Sequence, residues 1–217
     1  ALRDMARRNR RGRPINGILV CDKPGGMSSN KALQIAKHMY FANKAGHTGS
    51  LDPLATGVLP ICFGEATKFS QFLLEADKRY DATVVLGASS NTEDADGDIS
   101  AVADAGHLLE RDILALLPTM LGEQMQVPPM YSALKHNGQR LYDIARKGGE
   151  VERKPRAIKV HELALTGFRS EGAQAKTIEI DLTMLVSKGT YVRSIAADIG
   201  RHFKVGGYLA KLRRTQV

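Results

Sequence analysis

Ile178-Glu179-Ile180-Asp181-Leu182-Thr183-Met184-Leu185-Val186 alternates apolar and other positions cleanly along its length. Side chains two apart share one face of an extended chain, so Ile178, Ile180, Leu182, Met184 and Val186 predict a strand with one apolar side. Ser187-Lys188-Gly189 interrupts it. Beyond Tyr191 and Arg193 the spacing of Ile195, Ile199 and Phe203 predicts a helix. Tyr80–Leu86 has the same two-residue period, with Tyr80, Ala82, Val84 and Leu86 on one face.

Toward the N-terminus, Ile15–Asp22 reads as a strand running into the turn Lys23-Pro24-Gly25-Gly26. Ser28-Ser29-Asn30 are good caps for a helix whose apolar face is Ala32, Leu33, Ala36, Met39 and Tyr40. Ala45–Gly64 is punctuated by Gly46, Gly49, Pro53, Gly57 and Pro60 and reads as loop. A helix should follow with Phe69, Phe72, Leu73 and Ala76 on one side, a later one with Ile113, Leu116 and Leu117, and a short one with Leu141, Ile144 and Ala145 after Pro128-Pro129. Ser89–Gly106 is polar and acidic, an expected surface excursion. Strands and helices mix without a strict βαβ rhythm, so the expected class is α+β, a largely antiparallel mixed sheet flanked by helices.

Lys and Arg total 31 against 23 acidic residues in 217, a net charge of +8. That surplus favours a polyanionic partner, because neutralising phosphates releases counterions. No apolar run is long enough to cross a bilayer, and the Arg-rich start has no apolar segment behind it. A cytoplasmic protein with no membrane association is expected. Residues 1–14, with Arg3, Arg7, Arg8, Arg10, Arg11 and Arg13, should form a basic flexible arm that can tether RNA, with residues 15–217 as the catalytic domain. Cys21 and Cys62 are the only cysteines and form no CxxC pair, which argues against a disulfide framework or a zinc site. Asp94, Asp96 and Asp98 resemble the start of a calcium loop, but Ile99 replaces the required Gly and Ala105 the closing Glu. No metal site is expected.

The most informative segment is Gly46-His47-Thr48-Gly49-Ser50-Leu51-Asp52-Pro53-Leu54-Ala55-Thr56-Gly57. An Asp before Pro is ordinarily a turn former. Here the carboxylate has Leu51, Pro53 and Leu54 beside it, and a carboxylate in dry surroundings requires a cation. Arg193 is the candidate partner; two residues from Tyr191, it would share that residue's side of an extended chain. Lys188-Gly189-Thr190-Tyr191-Val192-Arg193 reads equally well as a phosphate-contacting turn at a strand end. A GxxxxGK[ST] loop, HExxH and GxSxG are all missing.

Gly46-His47-Thr48-Gly49 through Gly57, Asp22-Lys23-Pro24, Lys78-Arg79-Tyr80 and Lys188–Arg193 together resemble the TruB family of bacterial tRNA pseudouridine synthases. The likeness runs in order from about Ile15 to Arg214. It implies isomerisation of the T-loop uridine of tRNA (position 55) to pseudouridine, without cofactor or metal, by a monomer needing no protein partner. It also implies the residues involved. Asp52 matches the catalytic Asp, Tyr80 the tyrosine stacked on the uracil, and Tyr191 and Arg193 the residues that hold the Asp. His47 matches a histidine filling the T-loop gap left by the flipped base. Lys23, Lys68 and Asp94 match positions near the RNA. A tRNA-binding or folding protein without catalysis is the alternative. Val186 stands where several family members carry Cys, and members usually continue past the equivalent of Arg213-Arg214-Thr215 into a small RNA-binding domain, so a missing or truncated domain is expected there.

Overall fold

A computed structural model describes residues 12–132, 134–170 and 176–217. The proposed arm therefore lies mostly outside the described residues. Arg13 does not continue it: its N–H donates to Phe41 O at 2.6 Å and its carbonyl accepts from Asn43 N at 3.1 Å. The chain divides into two compact units, 1–76 with Val217, and Asp77–Gln216.

In the first unit, β1 (Gly17–Lys23), α1 (Ser29–Met39), β2 (Ala45–His47) and β3 (Thr56–Phe63) precede a 3-10 turn (Gly64–Phe69) and α2 (Ser70–Glu75). Ser28 caps α1, its hydroxyl accepting from Lys31 N at 3.2 Å, which satisfies one N–H that a helix start leaves open. Ala32, Leu33 and Ala36 face inward, and Leu33 and Ala36 pack with Ala42, Ile61 and Phe63. The face ends sooner than its spacing suggests: Met39 is 76% and Tyr40 43% exposed. The expected loop over 45–64 is half strand. β3 pairs antiparallel with both β1 and β2, and it forms because Leu59, Ile61, Cys62 and Phe63 are all buried. Pro60 fits because β2 stops at His47 opposite Ile61, one residue short of it.

The second unit contains β4 (Lys78–Leu86), β5 (Ala88–Ser90), β6 (Ile99–Ala101), α3 (Glu110–Leu116), β7 (Gly122–Gln126), β8 (Lys135–His136), β9 (Gln139–Arg140), α4 (Leu141–Arg146), β10 (Arg156–Ser170), β11 (Ile178–Val186), α5 (Val192–His202) and β12 (Gly207–Gln216). Its main sheet runs β12-β4-β11-β10-β7 with every neighbouring pair antiparallel. The class is α+β, as expected. The alternating faces of β4 and β11 are buried together: Tyr80, Ala82, Val84, Leu86, Ile178, Ile180, Leu182, Met184 and Val186. From α5, Ile195 and Ile199 are buried as well. Gly207 lets α5 come close, since a Cβ there would stand 2.6 Å from Ala196 O. β5 and β6 form a hairpin inside the expected surface excursion, and Asp94 within that excursion is buried.

Candidate active site

In the first unit the chain around Asp52 is held on both sides. Ser29 Oγ donates to Leu51 O at 3.0 Å and accepts from Leu51 N at 2.8 Å. Pro53 O accepts from Gly26 N at 2.8 Å and from Lys23 Nζ at 3.4 Å. Asp52 O accepts from Ala55 N at 3.0 Å, closing a turn. The Asp52 side chain is half-buried. Its dry neighbours are Leu51 and Ala55; Pro53 is exposed and Leu54 only half-buried, so the apolar setting differs from the expected one.

Lys23 is expected beside RNA, but it is fully buried. Its ammonium also donates to Pro24 O at 2.8 Å and Met27 O at 2.6 Å. Carbonyl groups have taken the place of water around this charge, so the described role of Lys23 is to tie the β1–α1 turn to the Asp52 loop. His47 ends β2 and is half-buried. Lys68 is on the surface, with a side chain 68% exposed and ion-paired to Glu65. That cation holds the Glu65 carboxyl below its usual range.

In the second unit Tyr80 lies on the buried face of β4. Tyr191 and Arg193 are not neighbours on an extended chain, because α5 begins at Val192: Tyr191 is its N-cap and Arg193 is in its first turn. The Arg193 guanidinium is buried and donates to Thr92 O at 3.0 Å and Tyr131 O at 2.7 Å. Its Nε lies 3.7 Å from Asp94 Oδ2. Asp94 in turn accepts from Thr92 Oγ1 at 2.6 Å and Asp96 N at 3.1 Å. Asp94, expected near RNA, is thus 4% exposed and enclosed in an ion pair with Arg193. Next to it, Ser194 Oγ donates to Glu93 Oε2 at 2.8 Å. Burial pushes the Glu93 carboxyl up, against the pull of Ser194 and the Arg193 charge.

The structure therefore brings Lys23 to the Asp52 loop within one unit, and Arg193 to Asp94 beside Tyr191 within the other. Sequence reasoning missed Ser29, Thr92 and Glu93. Ser29 is visible only as a capping residue, and the other two carry no local pattern at all. Among the described residues no group of His, Cys, Asp or Glu could hold a metal ion, and no helix is long and apolar enough to cross a membrane.

A family model described as TruB family pseudouridylate synthase (N terminal domain) matches residues 37–192, most of the chain. The chain belongs to the TruB family. Its relatives include the tRNA pseudouridine synthase B of Saccharophagus degradans, 57% identical over 98% of this chain and 66% of that protein. The protein of the same name from Aeromonas salmonicida is 51% identical over 98% of this chain and 65% of its own length. The chain thus spans just under two thirds of these TruB-family relatives. A solved Cbf5-Nop10-Gar1 complex contains a chain 30% identical, with a TM-score of 0.68 over 92% of this chain and 48% of that one. An H/ACA RNP bound to a substrate RNA matches at 24% identity and a TM-score of 0.65, a likeness of fold alone. Asp52, Tyr80 and Tyr191 lie inside the TruB match, Arg193 is one residue beyond it, and Lys23 precedes it.

Proposed function

We propose that this chain isomerises the T-loop uridine of tRNA (position 55) to pseudouridine, in the cytoplasm, as a monomer. The observation that carries the reading is the TruB-family loop around Asp52, with the residues on both sides of the carboxylate tied to the end of β1, the β1–α1 turn and the start of α1 by Lys23, Gly26 and Ser29. A carboxylate whose backbone is fixed in advance can meet a reacting sugar without first being ordered. The N1–C1′ bond breaks, the uracil turns, and C5 bonds to C1′. The hydrogen on C5 leaves as a proton while N1 gains one, so the reaction needs no cofactor.

Each residue has its part in this reading. Asp52 is the catalytic carboxylate. Arg193, its guanidinium held by the carbonyls of Thr92 and Tyr131, is the cation that the TruB likeness assigns to that carboxylate. Tyr80 stacks on the flipped uracil and Tyr191 lines the pocket. Flipping a base out of its stack costs a few kcal/mol, and an aromatic face returns roughly 1–3 kcal/mol per base. Phosphate contacts from the +8 surplus, Lys68 among them, and His47 in the vacated T-loop supply the remainder. Asp94 serves through Arg193, and Lys23 through the loop it anchors.

The test is tritium release from tRNA labelled at C5 of uridine. Release by the chain, and none by Asp52→Asn, is the expected result. Binding without release by the unaltered chain would make it a tRNA-binding or folding protein instead.

A further inference from the structure

Gln126 is the last residue of β7, 5% exposed, opposite Arg156 of β10. Its carboxamide makes two bonds to one residue 65 positions away. Oε1 accepts from Tyr191 N at 2.8 Å, and Nε2 donates to Tyr191 O at 3.1 Å. Helix starts are usually fixed by a Ser, Thr, Asp or Asn at the cap. Tyr191 has the cap position of α5 and makes no side-chain cap bond. The start of this helix is held from outside, by the side chain of a strand.

The segment after Gln126 returns to the same helix turn. Tyr131 O accepts from Arg193 at 2.7 Å, and Val127 O lies 3.5 Å from Ser194 Oγ. Six consecutive residues, 126–131, therefore meet Tyr191, Arg193 and Ser194 at three places. A planar amide presents one acceptor and donors at a fixed separation, so a two-bond contact sets both distance and tilt. A hydrophobic side chain of equal size cannot do this, and a carboxylate lacks the donor.

We propose that Gln126 is a positioning residue for the isomerisation: by gripping both backbone groups of Tyr191 it sets the register of the α5 start, and through it the aim of the Tyr191 ring and the Arg193 guanidinium. The proposal rests on the synthase reading above. It places the effect of Gln126 on the chemical step, not on the capture of tRNA.

The experiment uses the full chain with Gln126→Met and Gln126→Glu. Tritium release is followed in single turnover with enzyme in excess at saturating concentration, and tRNA Kd is measured by filter binding. With enzyme in excess the limiting tRNA sets the amplitude, so a smaller folded fraction leaves the rate constant in place as long as the folded enzyme stays saturating. Both variants should lose roughly 10- to 100-fold in rate constant, the scale of a small misplacement of catalytic groups, with Kd within about threefold. Gln126→Glu retains the acceptor for Tyr191 N–H but sets an oxygen against Tyr191 O, so it should be no better than Gln126→Met. Rate constants within twofold of the unaltered chain in both variants would overturn the proposal, as would a loss confined to Kd. No release by the unaltered chain would instead remove the synthase reading itself.

Discussion

Ser29 and Leu51, 22 residues apart, exchange two hydrogen bonds through a single hydroxyl: Oγ donates to Leu51 O at 3.0 Å and accepts from Leu51 N at 2.8 Å. Both residues are buried, at 2% and 4% exposure. Asp52 is the next residue, so the first turn of α1 fixes the backbone from which the carboxylate projects. Ser29→Ala leaves the Leu51 N–H and C=O without that partner in a dry site, a cost of about 1–3 kcal/mol. Denaturant unfolding should show this loss, and tritium release should fall more than tRNA affinity does. Unchanged unfolding and unchanged release would mean that the clamp is redundant.

Two lysines separate an internal role from a surface one. Lys23→Met removes three described donor contacts to the carbonyls of Pro24, Met27 and Pro53, and stability should drop by at least about 1–3 kcal/mol. Its effect on the salt dependence of tRNA binding should be nil. Lys68→Ala should leave stability nearly unchanged, since its pair with Glu65 is exposed. If Lys68 meets a phosphate, the slope of log affinity against log salt falls by about 1. The opposite assignment of slopes would exchange the two roles.

Asp52→Asn should bind tRNA with little loss and form no pseudouridine, and substantial turnover would take Asp52 out of the mechanism. Arg193→Ala removes the cation 3.7 Å from buried Asp94, and breaking such a pair costs about 3–5 kcal/mol. Its turnover should fall further than its tRNA affinity. If affinity falls more, Arg193 is a phosphate contact.

Glu93 gives a pH signature. Burial raises its carboxyl above the ordinary value of 4.5, so the folded state binds the proton more tightly than the unfolded chain does. Between the unfolded and folded pKa values the folded state holds more protons, and stability falls as pH rises through that window. Glu93→Gln, which can still accept from Ser194, removes this penalty. Relative to the unaltered chain it should gain melting temperature as pH rises from 4 toward 7. A relative gain at acid pH instead would show that the ionised form is favoured.

Much of the frame was legible in the residues themselves. β4 and β11 are legible as a two-residue period, because β11 alternates buried and less buried positions along its whole length, β4 does so over residues 78–82, and the two pair in register without a bulge. β10 and β12 are not. Register shifts between Val160 and Glu162, Leu165 and Gly167, Leu209 and Lys211, and Arg214 and Gln216 break their alternation, so neither has a period to detect. β3 was hidden by Pro60 and Gly57, turn-forming types that here lie within a strand.

The chain's order of residues determined by itself the α+β class, the basic surplus and the Asp52 motif that marks a TruB member, because composition, period and motif are local properties. Which polar groups meet was decided only by folding. Lys23 and Asp94 look like surface charges in sequence, yet both are buried, one among carbonyls 1, 4 and 30 residues away and the other against a guanidinium. The partners of Ser29, Gln126 and Arg193 lie 22, 65 and 101 residues off. A hydrogen bond needs its atoms within about 3 Å, and over such separations only the packed tertiary structure sets that distance.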